Sequence, residues 1–517
     1  MRVSDYFDAA AQRHPDREAY VYGETRMTYG EAQRFVHAIA HGLSRESYLS
    51  DCAVVAIYSG NDHRIPLLQL GINRADKVWT GVHSRNSVET NAQVANQFDC
   101  ELVFFHSEYE KEVGELVEIT PSIKKWICID KDSHYGQSLN AWLEGCWSEY
   151  PYVPCDPLRM AYIQPTGGTT GPAKGAVHTH YSTEMEVIHL CSNLDLREGS
   201  KLLSVAPLSH AAGSFSLGFV PNACTHVILH EFNAETVLKT IETERITHVY
   251  FPPTVIHILL IHPSLSTTDL SSLRFVFVGA APISVEKFKE AVRAFGPVVV
   301  EGYAQSETLM PVLLKKPADY LLADGEFDEE VLASAGRANP YLDVRIMDDD
   351  GNLLKPGQAG EIVVRGPLMM IGYYKQPEAT AEVTQNGWHR TGDVGVMDAK
   401  GFITIVDRKK DMIITGGFNV FPNEIESVIY SHSAVLDCVV IGVPDDKWGE
   451  AVKAIVQLKP GITVSEEELI SLCKERLGGV KAPKSVEFWD DLPRNALGKL
   501  LRREARKKFW DGHWRSV

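Results

Sequence analysis

Thr166-Gly167-Gly168-Thr169-Thr170-Gly171-Pro172-Ala173-Lys174-Gly175 is the stretch around which the rest of the chain is read. It follows a short apolar run at 160–163 and precedes a polar stretch at 177–183. Its four glycines let the backbone turn tightly and bring N–H groups close to an anion. Its three threonines add hydroxyl donors and Lys174 adds a mobile positive charge, a combination suited to a polyphosphate. It is not a Walker A loop, because Gly175 follows Lys174 where a serine or threonine is needed. Taken alone, the same residues also fit a flexible surface loop.

The bulk composition bounds the answer. At 517 residues the chain exceeds one ordinary core, so two or more domains are expected. Hydrophobic residues at 44% and charged residues at 23% are those of an ordinary globular protein. A formal net charge of -17 repels nucleic acid and anionic membranes, so an anionic ligand must be held by local cations or backbone amides. Nine cysteines without a Cys-x-x-Cys pair read as reduced thiols in the cytoplasm, not as a disulfide framework or zinc knuckle. The first residues, Met1-Arg2-Val3-Ser4-Asp5-Tyr6, carry no apolar signal region. The longest apolar stretch, 249–261, is broken by Pro252 and Pro253 and is too short to span a bilayer.

Residues 1–45 read as helix, turn, helix, with Asp5 capping the first helix and the second starting near Thr28. Phe35, Ile39 and Leu43 fall on one face of that second helix. His37 and His41 stand one helical turn apart, but no third ligand is near, so they read as a polar helix face. Apolar runs at 52–58, 77–83, 101–105, 201–206, 226–229, 247–251, 275–278 and 298–300 read as strands alternating with helical segments. The alternation predicts an α/β fold of layered parallel sheets, with ligands at the carboxyl ends of the strands. Beyond Leu332, strand pairs at 343–347, 360–365 and 401–406 predict a small antiparallel, β-barrel-like subdomain. After a polar link, a helix at 422–430, strands at 436–443 and 450–458 and a helix at 465–477 predict a separate α+β lid. The expected division is an N-terminal domain at 1–407, with its β subdomain from about 335, a hinge at 408–411 and a C-terminal lid at 412–517.

The glycine-rich loop resembles the phosphate loop of the adenylate-forming enzymes, which include acyl-CoA synthetases, firefly luciferase and the adenylation domains of peptide synthetases. Gly167 stands where that family has serine, and Ala173 where it has proline. The resemblance runs in family order from Thr28 to Arg503. It implies phosphate contacts from Thr166, Gly167, Gly168, Thr169, Thr170 and Lys174. Pro207-Leu208-Ser209-His210 resembles the segment whose histidine lies beside the acyl pocket and the substrate carboxylate. Gly279-Ala280-Ala281, and Glu301-Gly302-Tyr303-Ala304-Gln305-Ser306-Glu307, fall at two strand ends. From these the resemblance implies nucleotide contacts at Gly279, Ala280, Ala281, Glu301, Gly302, Tyr303 and Ser306, with Tyr303 stacking on adenine. Glu307 is implied as the Mg2+ ligand, with Thr170 beside it; magnesium takes few protein carboxylates. Gly387-Trp388-His389-Arg390-Thr391-Gly392-Asp393 is similar to the motif whose aspartate accepts both ribose hydroxyls. On that basis Asp393 and Arg408 hold the ribose. Lys410 falls at the family's hinge, Gly416 and Gly417 at its pantetheine tunnel, and Lys499 at its catalytic lysine.

The implied activity is that of an ATP-dependent acyl-CoA synthetase using ATP, Mg2+ and CoA. A carboxylate attacks the α-phosphate, pyrophosphate leaves, and the lid then turns to admit the CoA thiol to the acyl-adenylate. Implied pocket residues are His210, Phe215, Phe219, Val255, Gly279, Ala304 and Met310, which suit an apolar acid. No acidic residue occurs at 211–215, which disfavours an amino acid substrate. A free-standing ligase loading an acyl-carrier protein, and a non-catalytic acyl or nucleotide binder, stay open as alternatives. A monomer or homodimer is expected.

Overall fold

The computed structural model describes residues 1–166, 174–416, 418–445, 448–494 and 500–510; for Lys410 and Asn419 the description stops at the backbone. Two large sheets dominate. The eight-stranded sheet runs, edge to edge, through Gly372–Tyr373, Gly175–Thr179, Met160–Pro165, Val78–His83, Val54–Ser59, Cys100–Phe105, Lys125–Cys128 and Gln137–Ser138. Its centre is parallel, and every residue of Val54–Ser59 is buried. Helices cover both faces of such a strand, so it reads as a continuous apolar run. The nine-stranded sheet runs through Arg337–Ala338, Leu309–Lys315, Val299–Gln305, Phe275–Val278, His248–Phe251, Lys201–Ser204, Thr225–Ile228, Glu18–Tyr22 and Thr25–Thr28. One hydrophobic core joins the two sheets: Ile57 and Trp79 of the first share it with Leu202 and Phe277 of the second.

The N-terminal segment departs from the expected helix, turn, helix. Its turn is a β-hairpin, Glu18–Tyr22 with Thr25–Thr28, whose first strand pairs in parallel with Thr225–Ile228. Asp5 is not the helix cap. The helix Val3–Arg13 is capped at Arg2, and Asp5 at its third position accepts the Arg2 backbone N–H at 2.9 Å. Thr28 does cap Tyr29–Arg45: its hydroxyl accepts the Glu31 N–H at 3.2 Å while Glu31 accepts the Thr28 N–H at 2.9 Å, a capping box. The antiparallel strand Leu309–Lys315, absent from the sequence reading, is buried throughout and pairs with Val299–Gln305.

The third sheet is antiparallel and five-stranded. Asp343–Met347, Ala359–Arg365, Trp388–Met397 and Thr384–Gln385 follow in order, and Ile403–Arg408 pairs with Trp388–Met397. A short 3-10 turn, Lys409–Asp411, leads from it into the last unit. There the long hairpin Val435–Asp445 with Gly449–Leu458 carries the helices Pro422–Tyr430 and Glu466–Lys481 over one core. The helix Arg502–Trp510 packs on the other face through Ala505. Among the described residues no helix is long and apolar enough to cross a membrane.

Candidate functional site

Thr166, at the end of Met160–Pro165, and Lys174 close the base of the glycine-rich loop. The Thr166 N–H donates to the Lys174 carbonyl at 2.8 Å, and the Lys174 N–H donates to the Thr166 hydroxyl at 3.1 Å. The Lys174 ammonium stands 4.8 Å from the centre of the Tyr373 ring. Tyr373 donates its hydroxyl to Oε1 of Glu307 at 2.7 Å. The Glu307 carbonyl in turn accepts the Met370 N–H at 2.9 Å. Ser306 is held by its carbonyl, which accepts from Nε2 of buried His178 at 2.7 Å. Gly167, Gly168, Thr169, Thr170, Gly417 and Lys499 lie outside the described residues.

Asp393 is buried and its carboxylate collects three donors. Tyr303 Oη reaches Oδ2 at 2.6 Å, Gln305 Nε2 reaches the same oxygen at 2.7 Å, and Arg408 Nε stands 3.0 Å from Oδ1. Gln305 also donates to the Thr391 carbonyl at 2.9 Å. An ionised carboxylate accepts about four hydrogen bonds, so one position on Oδ1 is left for an incoming hydroxyl, where the resemblance implied room for both ribose hydroxyls. Glu301 departs from expectation: its carboxylate is committed to Lys315 at 2.6 Å. Lys315 is itself buried and also donates to the carbonyls of Leu332 and Ser334 at 2.7 Å each. Glu301 is therefore a framework group in its side chain. Gly279 and Gly302 meet across the two strand ends, and a Cβ on Gly302 would stand 2.1 Å from Cζ of Phe277. Ala280 holds φ at +70°, a conformation costing an alanine about 1 kcal/mol.

His210 opens the helix Ala211–Leu217. Burial pushes its imidazole down to about 4, so it is neutral at physiological pH. His83, which sequence reasoning missed, is also pushed down to about 4, first by burial and then by its neighbour His210. Phe215 and Phe219 pack 5.5 Å apart, and Phe215 lies 5.3 Å from each of Tyr250 and Phe277. Met310 shares their core, and Ala304 packs against it. Val255 does not. It belongs to a second core with Val249 and Phe251, because the helix Pro253–Leu260 turns it there. Tyr250 and Phe277 take part in the aromatic cluster instead, and neither belonged to a motif.

Lys410 lies in the turn Lys409–Asp411, between the third sheet and the last unit. Asp407, just before it, is fully buried and meets Arg502 Nη1 at 3.1 Å. The same guanidinium reaches Asp411 at 3.3 Å and Glu426 at 2.6 Å, and donates to Asn423. Asn423 returns its N–H to Asp407 at 2.9 Å. Burial pushes Asp407 up to about 6, against the pull of Arg502. Gly416 donates its N–H to the Trp448 carbonyl at 2.9 Å, and a Cβ there would press on the Trp448 ring at 2.6 Å. His37 is not on a polar face: it is buried, donating to Asp8 at 3.1 Å and accepting the Tyr150 N–H at 2.7 Å. Among the described residues no cluster of three metal-ligating side chains occurs.

Comparison with known proteins bears on this arrangement. The model of a family described as AMP-binding enzyme matches residues 7–374, and that of its C-terminal domain matches residues 424–499. A medium/long-chain-fatty-acid–CoA ligase of Mycobacterium tuberculosis is 33% identical, over 98% of this chain and 90% of its own. A feruloyl-CoA synthase of an Amycolatopsis species is also 33% identical, over 96% of this chain and 97% of its own. The solved structure of an amide bond synthetase from Marinactinospora thermotolerans superposes with a TM-score of 0.89 at 29% identity, covering 98% of this chain and 100% of that one.

Proposed function

The chain belongs to the AMP-binding, adenylate-forming enzyme family and is an acid–thiol ligase; from that premise we propose that it joins an apolar carboxylic acid to CoA through an acyl-adenylate. The observation that carries the reading is the placement of two groups along one segment, with Tyr303 and Gln305 of the strand Val299–Gln305 on Asp393 and Glu307 two residues further on. One is Asp393 with its donors Tyr303, Gln305 and Arg408; the other is the chain Lys174–Tyr373–Glu307. The first suits a ribose and the second a magnesium polyphosphate. ATP is the nucleotide, with Asp393 and Arg408 on its ribose and Lys174 and the glycine-rich loop on its phosphates.

Glu307 fits magnesium, which takes one or two carboxylates beside phosphate oxygens. Tyr373 occupies part of one carboxylate oxygen and leaves the other for a cation. Glu307, with Thr170 as the second proposed ligand, would hold a magnesium ion whose charge would offset that of the phosphates. His210, neutral, lies beside the acid and admits a carboxylate without adding a second charge. Phe215, Phe219, Tyr250 and Phe277 supply the apolar wall. Lys499 neutralises the charge developing at the α-phosphate as the carboxylate attacks and pyrophosphate leaves. The last unit then turns about Lys410, withdraws Lys499 and brings Gly416 and Gly417 to the pantetheine path. The thiol sulfur attacks the acyl carbon and AMP departs, so no protein nucleophile is needed. The nine cysteines are all unpaired, in keeping with a reducing, cytoplasmic setting.

A second reading takes an amine as acceptor and is favoured by the likeness to an amide bond synthetase. Acid-dependent pyrophosphate release, over fatty, aryl and polycyclic acids and with CoA, an amine or neither, separates the two. Release with a thioester detected by mass supports the CoA ligase. Release with an amide but no thioester supports the second reading. No release with any acid, while ATP still binds, refutes both.

A further inference from the structure

We propose that Tyr373 is a positioning residue that sets both the magnesium carboxylate and the phosphate lysine before nucleotide arrives. The inference rests on the functional reading above and concerns a residue that no motif there assigns. Three contacts place it. Its hydroxyl donates to Oε1 of Glu307 at 2.7 Å. Its ring lies 4.8 Å from the Lys174 ammonium. Its backbone N–H donates to the Thr380 hydroxyl at 2.9 Å, and its strand pairs with the one that follows the glycine-rich loop, Tyr373 opposite Ala176. Tyr373 is buried in a small apolar cluster with Ala176 and Met370, so its ring is a fixed platform.

Each contact has a separate consequence. A hydrogen bond to one oxygen of a ligating carboxylate fixes its rotamer and turns the other oxygen toward the metal; loss of such a partner costs on the order of 10- to 100-fold in metal affinity. An ammonium over an aromatic face is held in place without being committed to a carboxylate, and such a contact is worth roughly 2- to 5-fold in affinity. Without Tyr373, Glu307 and Lys174 are opposite charges free to pair with each other, and the approaching phosphate and magnesium would first have to part them.

Two variants of the full chain separate these roles. Tyr373→Phe keeps the ring and loses the hydroxyl; Tyr373→Leu loses both. ATP affinity is measured by calorimetry in EDTA and then across a Mg2+ titration. For Tyr373→Phe the EDTA affinity should match the parent, while the Mg2+ concentration giving half-maximal tightening rises on the order of 10- to 100-fold. Tyr373→Leu should show the same Mg2+ shift and a further loss of roughly 2- to 5-fold in EDTA. A parental Mg2+ midpoint in Tyr373→Phe overturns the proposal, as does an equal EDTA loss in both variants. A parent chain that binds no ATP under either condition overturns the functional reading, and this inference with it.

Discussion

Arg502→Met strips the buried guanidinium from between the third sheet and the last unit while keeping most of the side-chain volume. It leaves Asp407, which has no exposed surface, and Glu426, which has little, without their cation. Removing one partner of a buried pair costs about 3–5 kcal/mol, because the remaining charge keeps its desolvation penalty. The pH dependence gives a sharper test. In the unfolded chain Asp407 releases its proton near pH 4, and in the folded chain near 6. A carboxyl so raised costs the folded state about 3 kcal/mol once it is ionised, a penalty absent below pH 4 and complete above 6. Without Arg502 the folded value rises further, so the window extends upward through neutral pH. The variant should therefore lose about 3–5 kcal/mol at pH 7.5 and at least about 1 kcal/mol less at pH 5.5. Urea unfolding at the two pH values measures both numbers. Adding Asp407→Asn should remove most of the difference between them. A loss that is the same at both pH values, or under about 1 kcal/mol at pH 7.5, would refute the assignment of Asp407 as the stranded charge.

Lys499→Ala should lower acid-dependent pyrophosphate exchange on the order of 10²- to 10³-fold while thioester formation from supplied acyl-adenylate stays near the parent rate; near-normal exchange would remove Lys499 from the first step. Asp393→Asn turns an amide toward Tyr303, Gln305 and Arg408, and ATP affinity should fall on the order of 10- to 100-fold in calorimetry, with no change pointing to a ribose held elsewhere. Gly302→Ala drives a methyl into Phe277, so thermal unfolding should register a loss of about 1–3 kcal/mol; a variant as stable as the parent would mean that the ring is free to move aside. His210 titrates near 4, so the rate profile between pH 5.5 and 8 should carry no limb that Asn at this position abolishes.

The layered parallel fold was legible because its central strands are covered on both faces. Residues 54–58 and 102–105 read as unbroken apolar runs between helical segments. The hairpin at Glu18–Tyr22 and Thr25–Thr28 was not. Its second strand has no buried residue, so it shows no alternation. Leu309–Lys315 is wholly buried, yet Pro311 within it argues against a strand to any reader of sequence. The site divides the same way. Asp393 and Glu307 announce themselves within local motifs, but Tyr373 meets Glu307 across 66 positions, and no spacing rule reaches that far. Val255 follows a strand end, where sequence cannot tell which face of the sheet the next helix will cover. Asp5 stands three residues past the cap, where a carboxylate reaches back to the cap's N–H, so an acid there reads in sequence as the cap itself.

The parallel pairing of Glu18–Tyr22 with Thr225–Ile228 has a consequence during synthesis. The partner emerges about 200 residues after the hairpin, a delay of roughly 10–40 s at ribosomal speed. The other large sheet is completed only by Gly372–Tyr373, which lies at its edge against Gly175–Thr179. Neither sheet is complete until its last strand, Arg337–Ala338 or Gly372–Tyr373, has left the ribosome, and the hairpin keeps an unpaired edge until Thr225–Ile228 emerges. Such an edge invites pairing with other nascent chains. Yield of native protein should thus depend on translation rate and on chaperones that mask an N-terminal strand, and far less on the last hundred residues, whose sheet is built from neighbours in sequence.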